Sequence, residues 1–546
     1  MLQPPKWRIL CIVATTPKPC SVSVYGQACY RRRIHAAETF WFLIILLLSL
    51  HFVKERIDTR AIPHGDEGSW MSIAAEFSKG NGFTTRWLEF GFLKPYELPR
   101  PDDYRYPGLT LLLGLAFKLF GAGYTAALWC VAVLFMIFGL TVYLVVRAHF
   151  GIRTACATLP LVYLSLLQIM YASEVYSEGL FGIGLGLVLA VSVRYKPDTR
   201  IWWYLTGATT GILYLIRPNA ILLSAALVPY AAWMLYKRRI PRRTAAGAFS
   251  VMLLIMLPWL IRSWMFFGNP FHLADAGGLL RTGVSQPGTY SLGDFMRTYG
   301  GFYFIQETAL NARSFFRILH EQEHGLEVIP LLFCLAGIAR KAPFFNGFAA
   351  AGFLLSLLAC FYTSLAGSWA GVRYFSPFLP FVYAYGVSQI FSLSDRFVAR
   401  SPLQWNRLIT LALIPAVIGI CIAPVYYPHR YYEGYYAQAP EGNRDFTAYY
   451  AELGRQLGEK RHYYAGSLAQ INFPTGFNCI GIQHRFDETD IRRAQNKFNP
   501  ALFALTPVEM KAPYFMRLMD VLKADGYTLR TIAMPDSFAL FVTINR

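Results

Sequence analysis

Acidic side chains are few in this chain, and several of them stand beside long apolar stretches where a charge is costly unless it is used. Asp66-Glu67, in His64-Gly65-Asp66-Glu67-Gly68, follows the first such stretch. A carboxylate of this pair could act as a general base toward a hydroxyl. The plainer reading is that Asp66 or Glu67 caps the helix-like Ser69–Lys79 behind it. That stretch carries Trp70, Ile73, Ala74 and Phe77 on one face, as expected of a helix lying on the bilayer. Glu174 and Glu178 are spaced i,i+4 at the end of another apolar stretch, and charges so placed usually face a cavity. A solvated loop end is the alternative.

Three arginines occupy comparable ends: Arg217 before Pro218-Asn219, Arg262 in Pro258-Trp259-Leu260-Ile261-Arg262, and Arg373-Tyr374 before Pro377. A guanidinium fork at headgroup depth suits a pair of phosphate oxygens, whereas a lone arginine would simply snorkel to water. His320-Glu321-Gln322-Glu323-His324 has the H-E-x-x-H spacing of a zinc site, but Gly325 cuts its helix short and no third ligand is evident. Gly182-Ile183-Gly184-Leu185-Gly186 has no strand before it and reads as close helix packing. The tyrosines from Tyr426 to Tyr436 read as an interfacial belt.

The elements that must position these groups are membrane helices. Apolar stretches recur from Ala36 to Pro424, and alternate connections are short and basic: Arg147/His149/Arg153, Arg194/Lys196/Arg200, Lys237/Arg238/Arg239/Arg242/Arg243, Arg340/Lys341 and Arg396/Arg400/Arg407. Positive charge stays on the cytoplasmic side. Crossings are expected at 36–53, 124–147, 155–172, 179–194, 201–216, 219–236, 245–266, 326–340, 344–366, 373–393 and 406–424, roughly eleven in all. Gly108–Phe120 is too short to span and contains Lys118. Counting it as a crossing would put the densest basic cluster outside, so it is read as a helix at or dipping into the outer surface. This topology brings Asp66, Glu178 and the three arginines to one outer face.

The fold class expected is therefore a polytopic α-helical membrane protein with a small C-terminal extracytoplasmic α/β domain. Residues 1–35 form a cytoplasmic extension without a cleaved leader, 36–424 the membrane domain with outer loops 54–107 and 268–325, and 425–546 the soluble domain. In the last, a helical spacing at Asp445–Leu457 precedes strand-like His462–Ala465, Asn478–Ile482, Ala501–Leu505, Thr528–Ile532 and Phe538–Ile544, with a helix at Tyr514–Lys523. Short strands alternating with helices predict a three-layer arrangement.

Composition agrees with a membrane protein. Hydrophobic residues make up 55% and charged residues 15% of the chain, and the mean hydropathy is +0.34, which argues against a soluble globular class. The net charge of +19 sits mainly in the alternate loops and in Arg31-Arg32-Arg33, facing anionic lipid, so no nucleic-acid partner is expected. Of nine cysteines only Cys479 falls in an outer segment, which leaves no disulfide framework there.

The order of motifs carries a resemblance. The acidic pair with its following helix, Arg105-Tyr106-Pro107-Gly108-Leu109 leading to Lys118-Leu119-Phe120-Gly121, then Tyr176-Ser177-Glu178-Gly179-Leu180-Phe181, Arg217-Pro218-Asn219, Pro258-Trp259 with Arg262, and Arg373-Tyr374-Phe375-Ser376-Pro377 resemble the GT-C class of membrane glycosyltransferases. Within that class they are similar to the protein O-mannosyltransferase and lipid A aminoarabinose-transferase superfamily. The resemblance implies transfer from a polyprenyl-phosphate sugar, on the outer (periplasmic or lumenal) face, to a hydroxyl of protein, lipid or glycan; substitution opposite the phosphate predicts inversion, and the absence of outer disulfides points to a bacterial inner membrane. It implies Asp66 as the catalytic carboxylate, with Glu67 beside it and Glu178 orienting a substrate. Arg105, Arg217, Arg262, Arg373 and Tyr374 are the residues expected to hold the donor. Neither a nucleotide sugar nor a metal or other cofactor is required. Trp70 stands where Tyr is common and Ser263 where Asn is common, departures that bear on donor identity. Two other functions fit parts of the pattern: a lipid-linked sugar flippase, and a membrane zinc protease using His320, Glu321 and His324.

Overall fold

The computed structural model describes residues 24–58, 67–89, 98–102, 105–271, 309–321, 328–339, 347–363 and 369–398. It further describes 462–465, 478–481, 488–498, 502–505, 513–533 and 540–545, the pairs 280–281 and 289–290, and the single positions 297 and 306. The chain divides into two compact units, Met1–Ile44 and Ile45–Arg546. In the first, the described structure is the beginning of α1 (Val24–Asp58).

The second unit is built mainly of helices. Its first part contains the remainder of α1, then α2 (Glu67–Ser78), α3 (Pro107–Phe120), α4 (Tyr124–Phe150), α5 (Ile152–Tyr163), α6 (Leu166–Ala172), α7 (Glu178–Arg194), α8 (Arg200–Ile216), α9 (Ile221–Tyr236) and α10 (Arg242–Phe267). A helix over 309–321, here α11, precedes α12 (Val328–Ala339), α13 (Gly347–Thr363), α14 (Trp369–Phe375) and α15 (Leu379–Val398).

Among the described residues four helices are long and apolar enough to cross a membrane: Ala36–Asp58, Tyr124–Phe150, Pro218–Tyr236 and Arg242–Phe267. The pair α5–α6, bent by 62°, makes a fifth if counted as one broken span. The expectation of eleven is thus not reached on length and composition. The crossing expected at 373–393 is interrupted between α14 and α15 by a turn at Ser376-Pro377-Phe378, and 406–424 lies outside the described residues. α4 shows how such a helix sorts its faces. Val133, Ile137, Leu140 and Leu144 are exposed at helical spacing, while Leu128, Val131, Phe135, Phe138 and Val142 are buried, as expected with lipid on one side and protein on the other.

Small residues set the helix spacing. A β-carbon on Gly182 would lie 2.5 Å from the Phe138 ring of α4, and one on Gly184 would lie 2.5 Å from the Leu213 side chain of α8. The glycine run in α7 therefore serves packing on two sides. Gly207 and Gly211 do the same between α8 and α10, where a β-carbon on Gly211 would stand 2.9 Å from the Met252 carbonyl oxygen.

Two short helices differ in how well the sequence describes them. α3 is the short helix expected, ended by Gly121 at φ +89°, with Leu111, Leu115, Leu119 and Phe120 exposed along one side. The helix expected to lie on the bilayer, α2, is instead enclosed by protein: all residues from Glu67 to Glu76 are buried. Its polar side is satisfied internally. Glu76 is ion-paired with Arg86 at 3.0 Å and accepts hydrogen bonds from Asn81 at 2.8 Å and Lys79 at 3.1 Å. Burial pushes the Glu76 carboxyl up, but hydrogen bonds from Arg86, Asn81 and Lys79, with the charge of Arg86, hold it below the usual glutamate value.

The strands expected near the C-terminus are β6 (His462–Ala465), β7 (Asn478–Gly481), β8 (Leu502–Leu505), β9 (Thr528–Ala533) and β10 (Leu540–Asn545). Earlier in the chain come β1 (Thr84–Thr85), β2 (Trp87–Glu89), β3 (Arg100–Pro101), β4 (Leu280–Arg281) and β5 (Thr289–Tyr290). One six-stranded sheet runs β2-β7-β6-β8-β10-β9. Its edge strand β2 comes from the segment between α2 and α3 and pairs parallel with β7. Helix α16 (Glu488–Phe498), absent from the sequence reading, and α17 (Pro513–Ala524) pack on one another, with Ile491, Leu518 and Leu522 fully buried. The helix expected at Asp445–Leu457 lies outside the described residues.

Candidate active site

Glu178 is the first residue of α7, where the helix dipole favours a carboxylate. It is 3% exposed. Its Oε1 accepts from Arg217 Nη2 at 2.8 Å and from Arg373 Nε at 2.6 Å. Each arginine is delivered by a helix break. Arg217 follows α8 with extended φ −151° and ψ 137°, the conformation that the next residue, Pro218, requires. Arg373 lies in the last turn of α14, and the turn after it is tied to α6 by a 2.9 Å bond from Gln168 Nε2 to the Ser376 carbonyl.

Aromatic rings complete the enclosure. The Arg373 guanidinium lies 3.7 Å from the Tyr176 ring centroid, and that of Arg217 lies 5.0 Å from Tyr374 and 5.9 Å from Phe181. Among the described residues, one carboxylate oxygen thus serves two guanidinium groups. Glu178 Oε2, Arg217 Nη1, Ser177 Oγ and the Tyr171 hydroxyl are buried without a hydrogen-bond partner among the described residues. A buried guanidinium nitrogen lacking an acceptor is well placed to receive an anionic oxygen.

Glu67 is held beside this cluster. Its Oε1 accepts from the Val175 N–H at 2.6 Å and its Oε2 from the Tyr124 hydroxyl at 3.1 Å. Two residues earlier in the same turn, Arg56 of α1 donates to Ser173 Oγ at 2.8 Å and stands 3.7 Å from Glu174. The turn carrying Ser173–Ser177 is therefore fixed by both α1 and α2, and it leads directly into Glu178. Asp66 lies outside the described residues.

Arg105 and Arg262 occupy a second, linked group. Arg105 Nε donates to Ser69 Oγ at 3.3 Å, its backbone N–H to Asp102 Oδ2 at 2.7 Å, and its guanidinium lies 5.2 Å from the Trp70 ring. Arg262 Nη2 donates to the carbonyls of Phe83 and Asp102, both at 2.8 Å, and the guanidinium lies 4.4 Å from the Trp259 ring centroid. Of the residues singled out in the sequence, Glu178, Arg217, Arg373 and Tyr374 come together directly. Glu67 reaches them through the Val175 turn, while Arg105 and Arg262 brace α2 and the β1–β3 ladder.

Sequence reasoning passed over Tyr176, Asp102 and Arg56 as site residues. Tyr176 was within reach, since it stands two positions before Glu178 in the same motif. Arg56 had no signal beyond a cation at the end of a span. In the H-E-x-x-H segment, His320 and Glu321 are exposed and Glu321 pairs with Arg317 at 3.9 Å. His324 lies outside the described residues, and among those described no three His, Cys, Asp or Glu side chains group to hold a metal.

Residues 100–262 match the family described as dolichyl-phosphate-mannose-protein mannosyltransferase. No curated protein matches the chain by sequence. Among solved structures, it is similar to ArnT from Cupriavidus metallidurans in the apo state. That match has a TM-score of 0.54 at 15% identity and covers 93% of this chain and 98% of the other. The same protein bound to undecaprenyl phosphate gives a TM-score of 0.52 at 15% identity, with 92% and 98% covered. The oligosaccharyltransferase AglB from Archaeoglobus fulgidus, in complex with an inhibitory peptide and a dolichol-phosphate, gives 0.52 at 15% identity, with 92% and 74% covered.

Proposed function

We propose that this chain, a GT-C class membrane protein of the protein O-mannosyltransferase and lipid A aminoarabinose-transferase superfamily, is an inverting glycosyltransferase. Its donor is a polyprenyl-phosphate sugar, its acceptor a hydroxyl, and its working face the extracytoplasmic one. The observation that carries this reading is the Glu178–Arg217–Arg373 cluster: two guanidinium groups on one buried carboxylate, with one Arg217 nitrogen lacking an acceptor among the described residues. Such a site favours a phosphate that gains charge as it departs. Undecaprenyl phosphate and dolichol-phosphate are bound by the structural neighbours, which supports the same ligand class here.

The reaction needs little else. The acceptor oxygen attacks the anomeric carbon from the side opposite the phosphate, the C–O bond to phosphate breaks, and polyprenyl phosphate leaves with the bonding pair. The hydroxyl proton passes to a carboxylate. Asp66 is assigned that role because it directly precedes Glu67, which is held against the turn leading to Glu178. A phosphate leaves without protonation, so no second acid is needed, unlike glycoside hydrolysis. In this scheme Arg217 and Arg373 hold the phosphate and Glu178 fixes the two guanidinium planes. Tyr374 lines the Arg217 side, Glu67 positions Asp66, and Arg105 and Arg262 keep α2 and its flanking loop in place.

The test is transfer in vitro from radiolabelled polyprenyl-phosphate sugar, with Asp66→Asn, Glu178→Gln and Glu321→Gln variants. Transfer is expected to disappear in the first two and persist in the third. Full transfer by Asp66→Asn would discard the proposed base, and loss only in Glu321→Gln would favour the protease motif.

A further inference from the structure

At the other end of α9 the chain makes a turn whose residues are locally ill-suited to it. α9 starts four residues after Arg217 and runs for 16 residues, about 24 Å at the helical rise. The turn joining it to α10 therefore lies on the membrane face opposite the Glu178 cluster. Arg239 N–H donates to the Met234 carbonyl at 3.0 Å and Arg238 N–H to that of Leu235 at 2.9 Å. This is the paired bonding of a helix end that normally calls for glycine at the left-handed position. Arg238 occupies that position at φ +51°, and among the described residues no other non-glycine has a positive φ. A glycine would make the same turn without strain.

A second misfit adjoins it. Arg242 and Arg243 begin α10, where the helix dipole disfavours cations. Capping of α9 accounts for a cation at Lys237 but not for these two. From Lys237 to Phe249 there are five cations and no carboxylate, and among the described residues none of the five forms an ion pair. The turn borders an open surface cleft of about 770 Å³ with Ala232, Leu235 and Ile240 on its apolar side and Arg238, Arg239 and Arg242 on its polar side. An anion reconciles both misfits, and an apolar wall beneath a cationic rim matches a lipid rather than a free ion.

We propose that this cleft binds the phosphate headgroup of an anionic phospholipid of the adjoining leaflet, with Arg238, Arg239 and Arg242 as its ligands. The full chain, in bilayer discs containing equal phosphatidylglycerol and phosphatidylcholine, would be assayed for the lipid in contact with it by spin-label exchange. Enrichment of phosphatidylglycerol is expected. Arg238→Gly should lower it about five-fold, as for loss of one surface cation, without lowering thermal stability, because it also relieves the backbone. Arg238→Gly combined with Arg239→Gln and Arg242→Gln should abolish it. Equal occupancy of the two lipids in the unaltered protein, or enrichment surviving in the triple variant, would overturn the proposal. So would displacement of the lipid by millimolar inorganic phosphate, which would reassign the cleft to a free anion.

Discussion

Replacing Glu178 with alanine isolates the interaction on which the candidate site is built. The substitution removes the oxygen that both Arg217 and Arg373 engage, at 2.8 and 2.6 Å, and leaves two guanidinium groups without the carboxylate they share. Side-chain exposures of 6% for Arg217 and 14% for Arg373 leave little water to compensate. Breaking a buried pair from one side costs about 3–5 kcal/mol. Arg373→Met alone is milder, about 1.5–3 kcal/mol for one charge-assisted hydrogen bond, because Arg217 still neutralises the carboxylate. If the two arginines share one charge, Glu178→Ala with Arg373→Met should cost at least about 1 kcal/mol less than the two changes added together. Unfolding of the detergent-solubilised protein, followed by tryptophan fluorescence across a denaturant series, supplies all four corners of the cycle. Additivity to within about 0.5 kcal/mol would show that the guanidinium groups do not depend on Glu178, and the account of a shared charge would fail. Glu178→Gln keeps a carbonyl acceptor and is expected to fall between the parent and Glu178→Ala.

Gly207→Val would drive a side chain into the Ala248 carbonyl across the α8–α10 contact; a loss of about 1–3 kcal/mol is expected in the same unfolding assay. Gly123→Ala, which meets nothing within 4 Å, should be close to neutral. Arg262→Ala removes both carbonyl bonds to the segment between α2 and α3, and hydrogen exchange at 83–85 and 100–102 should accelerate while α4 stays protected. Glu76 titrates below its ordinary value in the fold, so its anchoring of α2 is complete above the unfolded glutamate pKa of about 4.3 and fades as pH falls through the lower folded value. Arg86→Ala should move the acid unfolding midpoint of α2, read by exchange, to higher pH.

What could be read from the chain alone follows from how strongly the bilayer constrains sequence. Apolar stretches such as Tyr124–Phe150 must be long and nearly free of charge, so α4, α9 and α10 are visible before any contact is known. The exceptions to the charge pattern were visible for the same reason: Arg217 and Arg373 stand where cations are depleted. Their sharing of one glutamate was not visible, because it depends on how the ends of α7, α8 and α14 meet. The burial of α2 was missed because Trp70, Ile73 and Phe77 look the same facing lipid or protein; what differs is that Ser69 and Glu76 find Arg105 and Arg86. A three-residue strand such as β2 has no period to detect, and its partner lies hundreds of residues away.

That strand alters how the surroundings of Glu178 should be understood. Arg86, which holds Glu76 at the C-terminal end of α2, immediately precedes β2, and β2 is hydrogen-bonded to β7 in the C-terminal sheet. Glu67, at the other end of the same helix, holds the Val175 turn that leads to Glu178. A single buried helix of 12 residues, about 18 Å long, thus joins the sheet to the turn that presents the carboxylate. Its interior offers no slack, since Ile73 and Ala74 are buried at 1% and 0% and Phe77 presses on Gly114 of α3. Close-packed helices move as rigid elements rather than bending locally. A displacement of β2 would therefore be transmitted to α2 as a whole, and the sheet, though formed mostly from the far end of the chain, belongs mechanically to the same assembly as Glu178.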